Sequence, residues 1–243
     1  HHVEIALSIE ETRTFMAAQS AYRTRPEEAL LAASAMALAG TLDTDTVVAA
    51  VTLDARQALA GAEVTRGVGC FLVAVPLSLD LAALRQVGPE TLDQVLVTIK
   101  EKLRRVFDPG VDFSALDSLA ADMRPIFGFR YLGVIDMPPI VDGVLVSGAT
   151  PVEITLDVAS PGAVRPIEIV TWVAGERLHM RLSGAASVCD AAAANRLAQS
   201  LFHELSTLAY HLTSDYVGGF TPADFPDANL GQDELDDLLS SLQ

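Results

Sequence analysis

Thr65 to Leu79 reads TRGVGCFLVAVPLSL, a polar, glycine-punctuated entry followed by an apolar run that meets a proline at position 76. Val68, Cys70, Phe71, Leu72, Val73 and Val75 are apolar or β-favouring, and the run is too short and too closely flanked by glycine for a helix. It predicts a buried strand near the centre of a sheet. Gly67 and Gly69 relieve crowding or admit another backbone, and Pro76 ends the hydrogen-bond ladder.

Working outward on the N-terminal side, Thr46 to Leu53 (TVVAAVTL) is β-branched and apolar, a strand neighbouring the first, with Asp54 to Thr65 as their connection. Val3 to Ser8 alternates Val3, Ile5 and Leu7 against Glu4, Ala6 and Ser8, the period of a half-buried strand. Ser8 with a glutamate three residues on starts a helix that runs to about Ser20. Pro26 opens a second helix, and EEALLAASAMALAG leaves it so little polar surface that it should be buried on most sides before Gly40 ends it.

On the C-terminal side, Glu90 to Phe107 is an amphipathic helix with Leu92, Val95, Leu96, Ile99 and Leu103 inward. Lys100, Lys102, Arg104 and Arg105 gather near its C-terminus, where the helix dipole favours cations. Asp108-Pro109-Gly110 is a turn and Phe113 to Met123 a short helix. Ile126 to Ile135, IFGFRYLGVI, is the second strong strand and Pro138-Pro139 breaks it. Val152 to Val158, Pro166 to Val173 and Arg177 to Leu182 suggest an antiparallel meander. The helix from Asp190 to His211 carries Leu197, Leu201, Leu205, Leu208 and Leu212 on one stripe, which must cover a sheet face. The acidic stretch after Gly219 is loop-like, with a last helix from Gln232. There is no internal repeat and no long linker. The expectation is one α/β domain, an α+β two-layer sandwich over residues 3–243, with His1 and His2 read as the end of a purification tag.

Composition narrows the function. Half of the 243 residues are apolar, enough for a real core. The 32 acidic and 16 basic residues give a net charge of −16, whose average field repels a polyanion and argues against nucleic acid as a partner. No apolar run reaches the ~18 residues of a membrane span, and no basic, apolar and cleavage-site sequence marks a signal peptide. A soluble cytoplasmic protein is expected. Cys70 and Cys189 are read as small buried hydrophobes, without CxxC spacing or the ligands of a zinc site.

Few side chains offer chemistry. His179 alternates with Arg177 and Arg181 and reads as solvated surface. His203 and His211 lie eight residues apart on one helix, more than two turns, so they cannot share a metal and read as ordinary helix residues. Ser114 to Ser118, SALDS, lacks the G-x-S-x-G elbow of a hydrolase. Arg66, Arg130 and Tyr131 are candidates for interaction rather than catalysis.

Four stretches resemble a known family in its order: IEETRTFMAAQSAYRTRPEEALLAASAMALA from Ile9, VGCFLVAVPLSL from Val68, IFGFRYLGVID from Ile126 and TPADFPDANLGQDELDDLL from Thr221. The chain resembles the C-terminal lobe of condensation and epimerisation domains of nonribosomal peptide synthetases. The resemblance implies half of a chloramphenicol-acetyltransferase-like fold, a mixed sheet flanked by helices. It also implies a partner N-terminal lobe that carries an HHxxxDG histidine, and carrier-bound substrates entering between the two. That motif is missing here, for His1-His2 is followed by Ala6 and Leu7 where the Asp and Gly belong. The EGHGRE motif of epimerising members falls on Thr52 to Gln57, TLDARQ, where only Arg56 agrees. Thr52 then stands for the catalytic glutamate, and an unactivated hydroxyl is too weak a base for an α-proton. Arg130 replaces the Asn of the FNYLG-type strand, placing a permanent cation at the lobe interface.

The resemblance thus implies a catalytically incomplete lobe of a nonribosomal peptide or polyketide megasynthase, with no turnover expected from this chain alone. Its expected role is docking an acyl or peptidyl carrier protein, a thioesterase or acyltransferase that releases product, or another copy of itself. No metal and no covalently bound cofactor are expected, while the phosphate of a partner's phosphopantetheine arm suits an Arg fork. The alternative is the C-terminal half of an active condensation, epimerisation or acyltransferase domain whose HHxxxDG lobe lies outside this sequence.

Overall fold

A computed structural model describes residues 1–18, 23–57, 67–69, 71–82, 90–106, 124–135, 166–185, 189–213 and 221–225, with single positions beyond. In chain order these form β1 (His2–Ala6), α1 (Ile9–Ala18), α2 (Pro26–Leu42), β2 (Thr46–Asp54), β3 (Leu72–Asp80), α3 (Glu90–Val106), β4 (Phe127–Val134), β5 (Ile167–Ala174), β6 (Arg177–Gly184) and α4 (Ala191–Leu212). Short 3₁₀ turns occupy Ala55–Gln57 and Pro222–Asp224. Among the described residues the six strands make one mixed sheet in the order β1-β6-β5-β4-β2-β3. Pairs β2–β4 and β4–β5 are parallel and the others antiparallel. The expected turn at 108–110, helix at 113–123 and strand at 152–158 lie outside the described residues, as do Cys70 and most of the 54–65 connection.

Helix starts follow local chemistry. The Ser8 hydroxyl accepts from Glu11 N at 3.2 Å while Ser8 N donates to the Glu11 carboxylate at 2.7 Å, a reciprocal capping box. Glu28 does likewise for α2, taking Arg25 N at 2.8 Å. Asp190 caps α4 by accepting from Ala193 N at 2.7 Å. As expected, α2 is buried on most sides, from Glu28 to Ala39. It does not stop at Gly40, however, but at Asp43, whose backbone turns left-handed at φ 50° and ψ 52° and sends its N–H to Ala39 O. A short polar residue tolerates that conformation, so glycine was not needed to end the helix.

The strand that dominates the sequence is not central. β3 is an edge strand of the described sheet, and β4 and β2 lie inside it. Nor does Pro76 end the ladder: it sits within β3, opposite Ala50. Ala55 N bonds to Phe71 O and Leu81 N to Asp45 O, so the hydrogen-bonded pairs with β2 fall on the odd positions of β3. Pro76 therefore directs its nitrogen away from β2, toward the edge of the described sheet, where a missing N–H breaks no bond to β2. The meander expected around β5 is a hairpin only. Gly175 and Glu176, at φ 55° and 60°, turn β5 into β6, while on its other side β5 runs parallel to β4.

All four described helices pack on one face. Val47, Ala49, Val51, Val75, Leu79, Phe127, Phe129, Ile169, Leu178, Met180 and Leu182 form one cluster with Phe15, Leu30, Leu31, Leu38, Leu96, Ile99 and the α4 stripe Leu197, Leu201, Leu205, Leu208 and Leu212. This is the two-layer sandwich expected. No helix among the described residues is long and apolar enough to cross a membrane.

Where β6 meets the start of α4 the packing depends on a glycine. A Cβ on Gly184 would stand 2.6 Å from Cys189 Cβ and 3.5 Å from Pro166 O. Neither is the end of a flexible chain, so Gly184→Ala must push the strand end from the helix. We expect a loss of about 1–3 kcal/mol in denaturant unfolding. An unchanged midpoint would show that this corner is loose.

Candidate functional site

Strand alternation decides which side chains face away from the helices. Phe127, Phe129 and Tyr131 pack toward the core, so Gly128 and Arg130 project from the opposite face of β4. By the same alternation this second face carries Glu168, Val170 and Trp172 of β5, Arg177, His179 and Arg181 of β6, and Glu4 of β1. Cross-strand register draws a row through them: Glu4 opposite Arg181, Arg181 opposite Val170, and Val170 opposite Arg130. Thr52 comes one residue after Val51, the partner of Phe129, and so extends the row beside Arg130. The next row carries Glu168 opposite Gly128, where a Cβ would collide with the Glu168 carboxylate; only glycine lets that carboxylate lie over β4.

The side chains at the β6 end are in contact. His179 stacks on Trp172 with centroids 5.3 Å apart and planes within 8°, and the Arg181 guanidinium lies 5.6 Å from the indole centroid. Arg181 Nη2 reaches Glu4 Oε2 at 3.2 Å, and His179 Nδ1 lies 3.5 Å from Glu4 Oε1. His179 Nε2 meets Ala174 O at 3.3 Å. The residue expected as solvated surface is thus half-buried in an aromatic and ionic cluster. Alternation showed which face it takes, but not that Trp172 opposite would cover it. The face thus sets two guanidinium groups, an imidazole and an indole among two carboxylates, Glu4 and Glu168, and an anion held there has to compete with those acids for the guanidinium groups.

The sequence candidates separate. Arg66 lies outside the described residues. Arg130 is on the second face, whereas Tyr131, its neighbour, turns to the helix side and packs against the core. Burial, then the nearby Glu27 charge, raises the Tyr131 phenol above its ordinary range. Thr52, which the resemblance aligns with the catalytic glutamate of epimerising members, is half-buried within β2. Arg56 is engaged by Asp54, Nε to Oδ1 at 2.9 Å and Nη2 to Oδ2 at 2.6 Å, and lies 5.3 Å from the Phe71 ring centre. His211 is more than an ordinary helix residue: it is buried, and its Nε2 meets Asp93 Oδ1 at 2.7 Å, tying α4 to α3. Among the described residues no group of three or more His, Cys, Asp or Glu is arranged to hold a metal ion. Cys189 is buried, as expected.

A second polar cluster, missed in the sequence, fixes the C-terminal stretch. Lys100 and Arg104 do not merely complement a helix end. Lys100 Nζ pairs with Asp224 Oδ2 at 2.5 Å, and Arg104 with Asp224 Oδ1 at 2.7 Å and Glu28 Oε1 at 2.8 Å. The Lys100, Asp224 and Glu28 side chains are 1%, 3% and 1% exposed, so these charges are out of water. Thr221 N also donates to Asp224 at 2.9 Å. Burial pulls the Lys100 ammonium below its ordinary range in spite of Asp224. For Asp224 burial pushes upward, but the bonds from Lys100, Thr221 and Arg104 outweigh it and hold the carboxyl low. One signal was present: Lys100 falls four residues after Leu96, inside the apolar stripe.

No family model matches the chain. Among curated proteins it is 28% identical over 257 residues to a linear gramicidin synthase of Brevibacillus parabrevis, covering 98% of this chain and 3% of that protein. It is 29% identical over 264 residues to a chondramide synthase of Chondromyces crocatus, covering 99% of this chain and 6% of the other. Among solved structures, the epimerization domain from the third module of a tyrocidine synthetase matches with a TM-score of 0.68 at 22% identity, over 87% of this chain and 48% of that one. A condensation domain that mediates chain release from the enacyloxin polyketide synthase matches with a TM-score of 0.59 at 16% identity, over 88% and 41%. The chain therefore spans a few per cent of the curated relatives and about half of the solved domains. Its fold is that of condensation and epimerisation domains, and the resemblance read from its motifs holds in sequence and in structure.

Proposed function

We propose that this condensation-domain-like chain is a lobe of a nonribosomal peptide or polyketide synthase that receives a carrier-borne intermediate on its second sheet face, and that bond-making groups come from outside these residues. The observation that carries this reading is the match to about half of an epimerization domain, together with Thr52 and Arg130 side by side on the face opposite the helices. Thr52 offers a hydroxyl, too weak a base for an α-proton unless a partner activates it. Arg130 offers a permanent cation to the phosphate of a phosphopantetheine arm. The partner is then a carrier protein of a cytoplasmic assembly line, with a thioesterase or acyltransferase as a further docking candidate.

The test pairs binding with turnover. The chain is titrated with an apo and a phosphopantetheinylated carrier protein, then incubated with a peptidyl-loaded carrier. We expect the modified carrier to bind more tightly, no epimerised, condensed or released product, and about a tenfold weaker complex for Arg130→Ala, equivalent to about 1.4 kcal/mol. Turnover by the chain alone overturns the reading, and so does failure to bind any carrier. Product formed only on adding an HHxxxDG lobe would make the chain the C-terminal half of an active domain.

A further inference from the structure

We propose that Arg181 and Arg130 form a phosphate-binding pair across Val170, and that Glu4 is a built-in competitor holding Arg181 until an anion displaces it. Three observations carry this. First, register sets Arg181, Val170 and Arg130 on adjacent strands of one face. Their Cα atoms span two strand spacings, roughly 10 Å, which two arginine arms can close over one tetrahedral anion. Second, Arg181 Nε and His179 Nδ1 are buried without a hydrogen-bond partner. His179 Nε2 faces the Ala174 carbonyl and so holds the proton of the neutral ring, which leaves Nδ1 an acceptor; the Arg181 Nε–H is the unpaired donor, and a buried donor without a partner points to an acceptor that belongs beside it. Third, Glu4 satisfies Arg181 through one Nη alone, at 3.2 Å, and touches His179 only at 3.5 Å. It uses one arm of the fork where a phosphate would use Nε and Nη together. Glu4 is itself 41% exposed, so it can swing into water when displaced.

In a chain of net charge −16 such a site works against the average field. The local cations have to supply the attraction, and a competing carboxylate keeps the site from taking any passing anion. The ligand chemistry is a phosphate ester or free phosphate. That its source is a phosphopantetheine arm rests on the carrier reading above; the anion site itself does not.

Trp172 is the chain's single tryptophan and touches both His179 and Arg181, so its emission reports directly on this cluster. The intact chain is titrated with pantetheine 4′-phosphate, pantetheine and inorganic phosphate, following Trp172 fluorescence and heat. We expect a saturable response to the phosphate ester and none to pantetheine. Arg181→Ala should weaken it about tenfold or more, and Glu4→Gln should strengthen it several-fold. Glu10→Gln, an exposed acid on α1, should leave it unchanged. The Glu4 result has the opposite sign to a loss of folding, so it stays informative if Arg181→Ala is unstable. Equal binding of inorganic phosphate supports the pair and assigns it to the free ion. The proposal fails if pantetheine binds as well as its phosphate, if no phosphate compound binds, or if Glu4→Gln does not tighten the complex. Carrier binding without any phosphate response would sink this site and leave the proposed function standing; the reverse would do the opposite.

Discussion

Asp224→Ala should cost the chain about 3–5 kcal/mol, a large share of the stability of any single domain. Asp224 is the carboxylate that Lys100 and Arg104 share, each at 2.7 Å or less, and its side chain is 3% exposed. Removing it leaves two cations of α3 facing a site that no longer balances them. The loss of a buried partner is far more damaging than the pair is stabilising, because the desolvation of the remaining charges is no longer offset. In thermal unfolding the expected drop is roughly 6–20 °C for a chain of this size. Replacing Lys100 and Asp224 together by Met and Leu should recover much of it, since the buried pair then becomes apolar packing. If Asp224→Ala unfolds within about 1 kcal/mol of the parent, the cluster is wet and the reading of it as a clamp is wrong.

The same cluster gives the chain a defined acid sensitivity. Asp224 titrates lower folded than unfolded, so between its folded value and the unfolded carboxylate value near ~3.9 the unfolded chain binds more protons. Its contribution is therefore complete above that unfolded value and lost as pH falls through the folded one. Lys100, also shifted downward, works at the other end: stability gains with rising pH between its folded value and the ~10.4 of a free lysine. Asp224→Asn should accordingly flatten the acid limb of the stability curve and leave the neutral region lower throughout.

The fold was legible where periodicity and capping act locally. The Ser8 box, the all-round burial of α2 and the leucine stripe of α4 follow from spacing alone, because each is decided within a few turns of one helix. The order of the sheet was not. β3 reads as central because both its faces are apolar, with Val73, Val75, Leu77 and Leu79 on one and Pro76 on the other, and burial looks alike at an edge and at a centre. What places β4 in the middle is the pair of parallel connections on either side, and these are properties of the chain path rather than of IFGFRYLGVI. The site divides in the same way. Arg130 could be assigned to a face by alternation, whereas its neighbours across the row, Arg181 and Glu4, lie 51 and 126 residues away in sequence. His179 follows the same rule: alternation with arginines points to water, and pairing with Trp172 across the hairpin takes it partly out of water.

Phe127→Ala should be as damaging as the loss of Asp224, about 3–5 kcal/mol, and it tests the sheet order directly. Phe127 has no exposed surface and lies between Ala49 on β2 and Ile167 on β5, so no neighbouring element can collapse into the space it leaves. Val73→Ala on β3 removes two methyl groups from a partly buried position and should cost only about 1 kcal/mol. Amide exchange provides an independent reading. At the edge, even-numbered residues of β3 direct their N–H groups away from β2, so Ala74 and Ser78 should exchange much faster than Val75 and Leu77, while Phe127 and Phe129 exchange only on global unfolding. Equal protection of Ala74 and Val75, with Val73→Ala as costly as Phe127→Ala, would put a further strand beyond β3. The second face would then extend past Thr52, and the row from Glu4 to Arg130 would lie off-centre in a wider sheet.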